Sequence, residues 1–364
     1  MKKITNRLGI LILTFSVMSL SPLRGQDLLM DYIYGGVDDA EMLLQAYLEP
    51  FANILGSDLN AGWYNTARTH KLGGLDVMAT VSVARAPSSM ATFDASMLNL
   101  NGQFTSGSPT TAPTVTGNVE DRPTLVYSQD ITLPDGSTQT VEVASFTLPN
   151  GAGVDFFPLP MAQLTVGLPL GFDVSARFVP MVQLGDYGEI GLWGVGGKHS
   201  ISQWIPGIRE LGFLDIAAQG GYTKVNSSVN VSVEPMPGWI DPEVTSDFHN
   251  QYVVQEVQGW TVNLIASQTF SVLTIYEGIG YASSMATIRM DGDYPVPMPV
   301  SEGEDIGEIT YEIMVNPVDL SFQNMNNLRL NIGARIKLGV FMIHYDFTRT
   351  LYSTHTAGIG FTFR

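Results

Sequence analysis

Leu328-Arg329-Leu330-Asn331-Ile332-Gly333-Ala334-Arg335-Ile336-Lys337-Leu338 alternates without a break between an apolar residue and a polar or small one. In an extended chain successive side chains point to opposite faces, so this segment has one wholly apolar face and one bearing Arg329, Asn331, Arg335 and Lys337. The next segment repeats the pattern, with Phe341, Ile343, Tyr345 and Phe347 set against Met342, His344, Asp346 and Thr348. The last places Ala357, Ile359, Phe361 and Phe363 opposite Thr356, Gly358, Gly360 and Thr362. Earlier examples are Leu75, Val77, Ala79, Val81 and Val83, and Phe172, Val174, Ala176 and Phe178. Extending the period-two reading predicts strands at 73–84, 161–168, 172–180, 188–199, 213–226, 258–269, 272–288, 327–338, 340–351 and 355–364. Segments of about ten residues cross a bilayer when tilted.

A soluble sandwich alternates too, so the connections decide. They are long at 85–160, 227–257 and 289–326, and short at 169–171, 270–271 and 339, on opposite ends of the sheet. The segments 181–187 and 352–354 are short on the long side, and 200–212 is longer on the short side. Short periplasmic turns with long outer loops mark bacterial outer-membrane barrels. The expected fold is all-β, an antiparallel transmembrane β-barrel of about ten strands, within roughly 8 to 14, with an N-terminal helical plug or rim segment. Trp193, Tyr222, Trp260, Tyr281, Tyr345 and Tyr352 are candidates for interfacial girdles, and glycines such as Gly196, Gly220, Gly278 and Gly333 allow bends and close approach. Glu277 shares its parity with Ile275, Ile279 and Tyr281, and a β-bulge that moves it off the lipid face is expected.

Composition agrees. Of 364 residues 45% are hydrophobic and only 15% charged, where a soluble domain has roughly 25%. The formal net charge of −17 argues against a nucleic-acid partner, and the lack of cysteine excludes thiol catalysis, thiolate metal sites and disulfides. Lys2, Lys3 and Arg7, the apolar run 8–20, and Leu23-Arg24-Gly25 read as a secretory signal peptide at 1–25, too short in its apolar part to span a bilayer. Its loss removes four basic and no acidic residues, which takes −17 to −21. The mature chain then divides into a helical plug or periplasmic segment at 26–72 and a barrel at 73–364.

Within the first of these, Ala40 to Leu55 has helical spacing, with Leu44, Tyr47, Leu48, Phe51 and Leu55 on one face. Asp38 or Asp39 is placed to cap it, and Pro50 to kink or divide it. The segment is expected on the periplasmic side, inserted in the lumen or packed on the lower rim.

Five histidines leave little material for catalysis. His344 and Asp346 share an inward face and His199 precedes Ser200, but no third group can be set beside either. The expected role of Arg329, Arg335, Lys337, His344 and Asp346 is a polar lumen network, with no catalytic residue and no enzyme activity. The outer loops are acidic: 225–288 and 291–327 carry no Lys or Arg. Asp291-Gly292-Asp293 lacks the spacing of a calcium loop, so no metal or cofactor is expected. Residues 101–118 read as a mobile loop, and 122–147 as a hairpin turning at Pro134-Asp135-Gly136-Ser137.

The order of signal peptide, amphipathic helix, Trp63-Tyr64-Asn65-Thr66-Ala67 and a first strand at Leu75 resembles the long-chain fatty-acid transporter (FadL-type) family, which often has Asn-Pro-Ala where this chain has Asn65-Thr66-Ala67. The stretches 55–65 and 195–201 also resemble a Gram-negative outer-membrane barrel family of unassigned function. The closing Gly358-Ile359-Gly360-Phe361-Thr362-Phe363-Arg364 is similar to the C-terminal signal read by the barrel-assembly machinery. The resemblance implies a location in the bacterial outer membrane, contact with its lipid and lipopolysaccharide, and passive uptake of a hydrophobic or amphipathic small molecule through a plugged barrel. Leu48, Phe51, Trp63 and Tyr64 would then line the ligand site. The alternative is a structural or surface-interaction barrel with a closed lumen that binds partners through its acidic outer loops.

Overall fold

The computed structural model describes residue 32 and residues 36–183, 185, 188–242, 246–301, 305–323 and 327–363. The expected signal peptide and Arg364 lie outside the described residues. Period-two alternation produces β1 (Leu75–Arg85), β2 (Phe156–Leu168), β3 (Phe172–Gln183), β4 (Gly188–Ser200), β5 (Leu214–Val231), β6 (Gln251–Phe270), β7 (Leu273–Asp291), β8 (Asn327–Leu338), β9 (Phe341–Arg349) and β10 (Ser353–Phe363). Each pairs antiparallel with the next, and β1 pairs with β10, Ala79 opposite Ile359, so the ten strands form a closed ring with no free edge. The expected barrel, strand for strand, is the observed one.

Alternation sorts the two faces. Val77, Val174, Leu264, Ile332, Tyr345 and Ile359 are exposed on the outside, while Thr80, Arg177, Asn263, Arg329 and Asp346 are buried within. Trp193 packs on Tyr222 and Trp260 on Tyr281 at one level of the exterior, as an aromatic girdle requires. Tyr352 does not join them. It is fully buried with Ile54 and Ala84, its hydroxyl 3.4 Å from Asn53 Nδ2. Glu277 also departs from expectation. β7 pairs in unbroken register with β6 and β8, Glu277 opposite Ala266 and Ile332, and its side chain faces outward. A bulge would have turned every later residue of this 19-residue strand to the wrong face, a larger penalty than one misplaced carboxyl.

At the end with long connections, β5, β6 and β7 run on for 18, 20 and 19 residues and carry a folded cap. The hairpin 124–132/138–147 turns where expected, Leu133 N–H donating to Ser137 O at 2.8 Å. Residues 101–118, read as a mobile loop, instead contribute the short strands Gln103–Phe104 and Thr111–Pro113 and bury Ala112. Ala112, Pro113 and Thr114 there are buried, while Thr105, Ser106 and Gly107 remain exposed.

One helix, α1 (Val37–Asn60), runs through Pro50 without division. It is longer than the sequence indicated at both ends, and Asp39 does not cap it. The buried Asp39 carboxylate instead accepts from Asn101 N and Gly102 N at 2.9 and 3.0 Å, tying the first turn to the cap. Lower down, Tyr47 Oη donates to Asn150 O at 3.2 Å, and Asn60 Nδ2 donates to Ser283 O of β7 at 3.1 Å. α1 therefore begins in the cap and descends into the barrel from the long-loop end, the reverse of the expected approach. Residues 61–74 continue to the short-turn end, where Gly73 N donates to Gly167 O at 3.0 Å and β1 begins. Although α1 has 24 residues, no described helix is long and apolar enough to cross a membrane.

Two strand glycines have a specific reason. The indole of Trp63 lies against the wall at Gly196 and Gly221, and a Cβ at Gly196 would stand 2.6 Å from Trp63 Cζ3. At Gly221 the ring atom Cε2 is closer still. Gly221→Ala should lower stability by about 1–3 kcal/mol, and Trp63→Leu should relieve most of that loss. Denaturant unfolding of the two single variants and the double variant in detergent reads this coupling, and strict additivity would contradict the contact.

Candidate functional site

The last carbonyls of a helix have no partner within it and carry the negative end of its dipole. α1 places this end in the middle of the lumen. Arg177 of β3 answers it from one wall, Nη1 donating to Leu59 O at 3.0 Å and Nη2 to Ala61 O at 2.7 Å. Its Nε donates to Gln163 Oε1 at 3.0 Å, and the guanidinium covers the Trp63 ring at 3.7 Å from the centroid. Arg329 of β8 answers from the opposite wall, Nη1 donating to Asn60 O and Nη2 to Thr348 Oγ1 at 3.3 Å. β3 and β8 stand half a ring apart, so the helix end is gripped across the full width of the barrel.

Below this grip, Gln163 Nε2 donates to Trp63 O at 3.3 Å, and Tyr64 meets Tyr276 edge to face at 6.1 Å. Lys198 Nζ donates to Thr66 O and Arg68 O at 3.2 and 3.0 Å. His70 closes the path near the short-turn end. Its backbone N–H and its Nδ1 face the two oxygens of Asp173 at 2.9 and 3.1 Å. Its Nε2 lies 3.0 Å from Asp76 Oδ1 as an ion pair and 3.4 Å from Thr362 Oγ1, while Lys198 Nζ is 3.2 Å from Asp173 Oδ2.

Of the residues singled out from sequence, Trp63 and Tyr64 are buried in the lumen, whereas Leu48 and Phe51 pack into an apolar cluster shared by the cap and the upper parts of the barrel strands, Phe51 edge to face with Phe157 of β2 at 5.6 Å. The four do not line one cavity. Arg329, Arg335, His344 and Asp346 are all buried inside the barrel, and Lys337 is half-buried near its short-turn end. Asp346 accepts from Asn331 Nδ2 at 2.8 Å and from Tyr276 Oη at 3.1 Å, and stands 3.8 Å from His344 Nδ1. Neither Ser nor Thr hydroxyl is bonded to His344, and no cluster able to hold a metal occurs among the described residues. Two lumen spaces, one beside Trp63 and one beside Asn60, measure about 20 and 10 Å³, the size of single waters. Arg177, Gln163 and the His70 clamp were not singled out from sequence. Parity marks Arg177 as inward, but nothing local says that a helix end will meet it.

His70 makes the clamp sensitive to pH. Burial lowers its affinity for a proton, and the hydrogen bond to Asp173 together with the contact and charge of Asp76 more than reverses this, so its pKa is raised above 6.5. Such a group contributes stability that is complete below the unfolded value of about 6.5 and is lost as pH climbs through the higher native value. Resistance to thermal unfolding in detergent should therefore fall as pH rises above about 6.5. His70→Gln should flatten that slope, and an unchanged slope would remove the clamp's role.

Several solved barrels share the outline at low similarity. The translocator domain of the autotransporter NalP from Neisseria meningitidis is 10% identical with a TM-score of 0.28, over 81% of this chain and 90% of that one. The outer membrane protease OmpT from Escherichia coli is 7% identical with a TM-score of 0.28, over 82% and 100%. A FadL homologue from Pseudomonas aeruginosa is 8% identical with a TM-score of 0.24, over 80% and 90%. None of the curated proteins matches the chain. A family match extends over residues 1–363, and by it the chain belongs to DUF6588, a family of unknown function.

Proposed function

We propose that this protein is a closed barrel of the bacterial outer membrane, and that it acts through the folded acidic cap that its sealed, plugged lumen holds at the cell surface. The observation that carries this reading is the filled lumen: both arginines are committed to the helix end, and the spaces left beside them are of about 20 and 10 Å³. A solute path through the barrel would require breaking those contacts. The apolar exterior and the aromatic girdle support residence in a membrane, and the loop asymmetry supports an outward-facing cap. Acidic residues concentrated at 290–327 make the cap a surface for basic or cationic partners.

Passive uptake is the second reading, favoured by one detail. Trp63 Nε1 and Tyr64 Oη are buried without hydrogen-bond partners, as are Ser57 Oγ, both Asp58 carboxylate oxygens and Asn60 Oδ1 near the gripped end, so the plug's polar atoms are incompletely satisfied along its length. Reconstitution into a planar bilayer separates the two. The wild-type protein should show no steady ion conductance and no flux of amphipathic solutes. Arg177→Ala, which strips two carbonyls of their donors at a cost on the order of 3 kcal/mol, should produce intermittent conductance. Steady wild-type conductance or solute flux would favour uptake.

The orientation has its own test, since the chain lacks cysteine. Asp38 and Lys71 are both exposed, one in the first turn of α1 and the other near the short-turn end. A polymer-linked maleimide too large for porins should label Asp38→Cys on intact cells, and Lys71→Cys only after the outer membrane is opened. The reverse pattern would invert the barrel.

A further inference from the structure

Glu277 lies midway along the exterior of β7, between Tyr281 at the aromatic girdle and Leu273 beside the short turn. Among the described residues of β5 to β8, no other acidic or basic side chain faces outward between those levels. Its outward neighbours are Ile275, Ile279, Ala266 and Ile332, and no hydrogen bond or ion pair from a described residue reaches its carboxyl. The small side chain of Ala266 recesses the surface beside it. The resulting depression is about 380 Å³, ringed by Ile216, Leu264, Ile279, Leu330 and Ile332. A carboxyl facing hydrocarbon finds no water, and an intramembrane acid is retained where it meets a partner.

We propose that Glu277 and this depression form the contact with a second copy of the same chain in the plane of the membrane. The proposal rests on the outer-membrane reading above. Symmetry selects the occupant. Copies of one chain enter the membrane with one orientation, so a two-fold axis relating them runs along the membrane normal and brings together residues at equal depth. A residue near that axis meets its own counterpart, and Glu277 meets a second carboxyl. Two carboxyls sharing their protons donate and accept reciprocally, which leaves neither group unbonded in the apolar layer. The same symmetry seats the Leu330 and Ile332 ridge of each copy in the depression of the other, burying apolar side chains against apolar walls.

The lack of cysteine makes the test direct, because a single introduced thiol is the only one present. In native outer-membrane vesicles Glu277→Cys should form a disulfide-linked dimer on mild oxidation, while Ala162→Cys, exposed on β2 across the ring, should not. After gentle extraction the wild type should sediment as a dimer. Glu277→Gln, whose amide also donates and accepts, should remain dimeric. Glu277→Leu should raise the dissociation constant roughly tenfold or more while making the monomer's lipid face more apolar. A monomeric wild type, a dimer that Glu277→Cys fails to link, or a Leu variant that associates as well as the wild type would each overturn the proposal. Failure of the membrane reading shows separately, as the absence of both Asp38→Cys and Lys71→Cys from the outer membrane.

Discussion

The structure depends on where the C-terminal end of α1 comes to rest. Its carbonyls at Leu59, Asn60 and Ala61 carry partial negative charge into a space without bulk water, and they are tolerable there because Arg177 and Arg329 reach them from opposite walls. The dependence runs both ways. Two buried guanidinium groups would be costly in an empty lumen, and the helix end supplies acceptors that neither wall provides.

From that grip the rest of the interior follows. Trp63, held under Arg177, needs a wall without side chains, and Gly196 and Gly221 provide it on adjacent strands. With the ring pressed against the wall, the remaining chain has a single narrow course to the short-turn end, where Lys198 and the carboxylates around His70 bind its backbone and ring. The barrel is thus packed as a protein core with polar contents. Its hydrogen bonds converge on the helix end and on His70, while Asp58, Trp63 and Tyr64 keep buried polar atoms without partners.

Much of this fold is legible in the sequence because a closed antiparallel barrel has a local code: each strand alternates, and connection length reports which end it lies on. The arginines, His344 and Asp346 are readable as inward by the same parity. Glu277 shows where local reasoning about one residue fails. Its charge favours a bulge, but register is settled by all the pairs that β7 makes on both sides. The spacing sets Leu48 and Phe51 on one helical face with Tyr47, and the transporter resemblance makes them candidates for a ligand site in the lumen. That face meets the cap, since α1 starts above the barrel, and periodicity cannot say at which height a face is buried. Tyr352 fails as a girdle residue for the same reason.

The sequence by itself determined what depends on neighbours along the chain: ten alternating strands, their inward and outward faces, unequal connections, and one amphipathic helix ahead of the first strand. Tertiary structure alone decided the direction in which α1 enters, the pairing of Arg177 and Arg329 with its last carbonyls, the assembly of His70 with Asp76 and Asp173, and the seat of Trp63 against Gly196 and Gly221. Apart from His70 with Asp76, these are meetings between residues about 100 to 270 positions apart, set by barrel circumference and by the height at which each strand crosses the wall. No local pattern encodes either quantity.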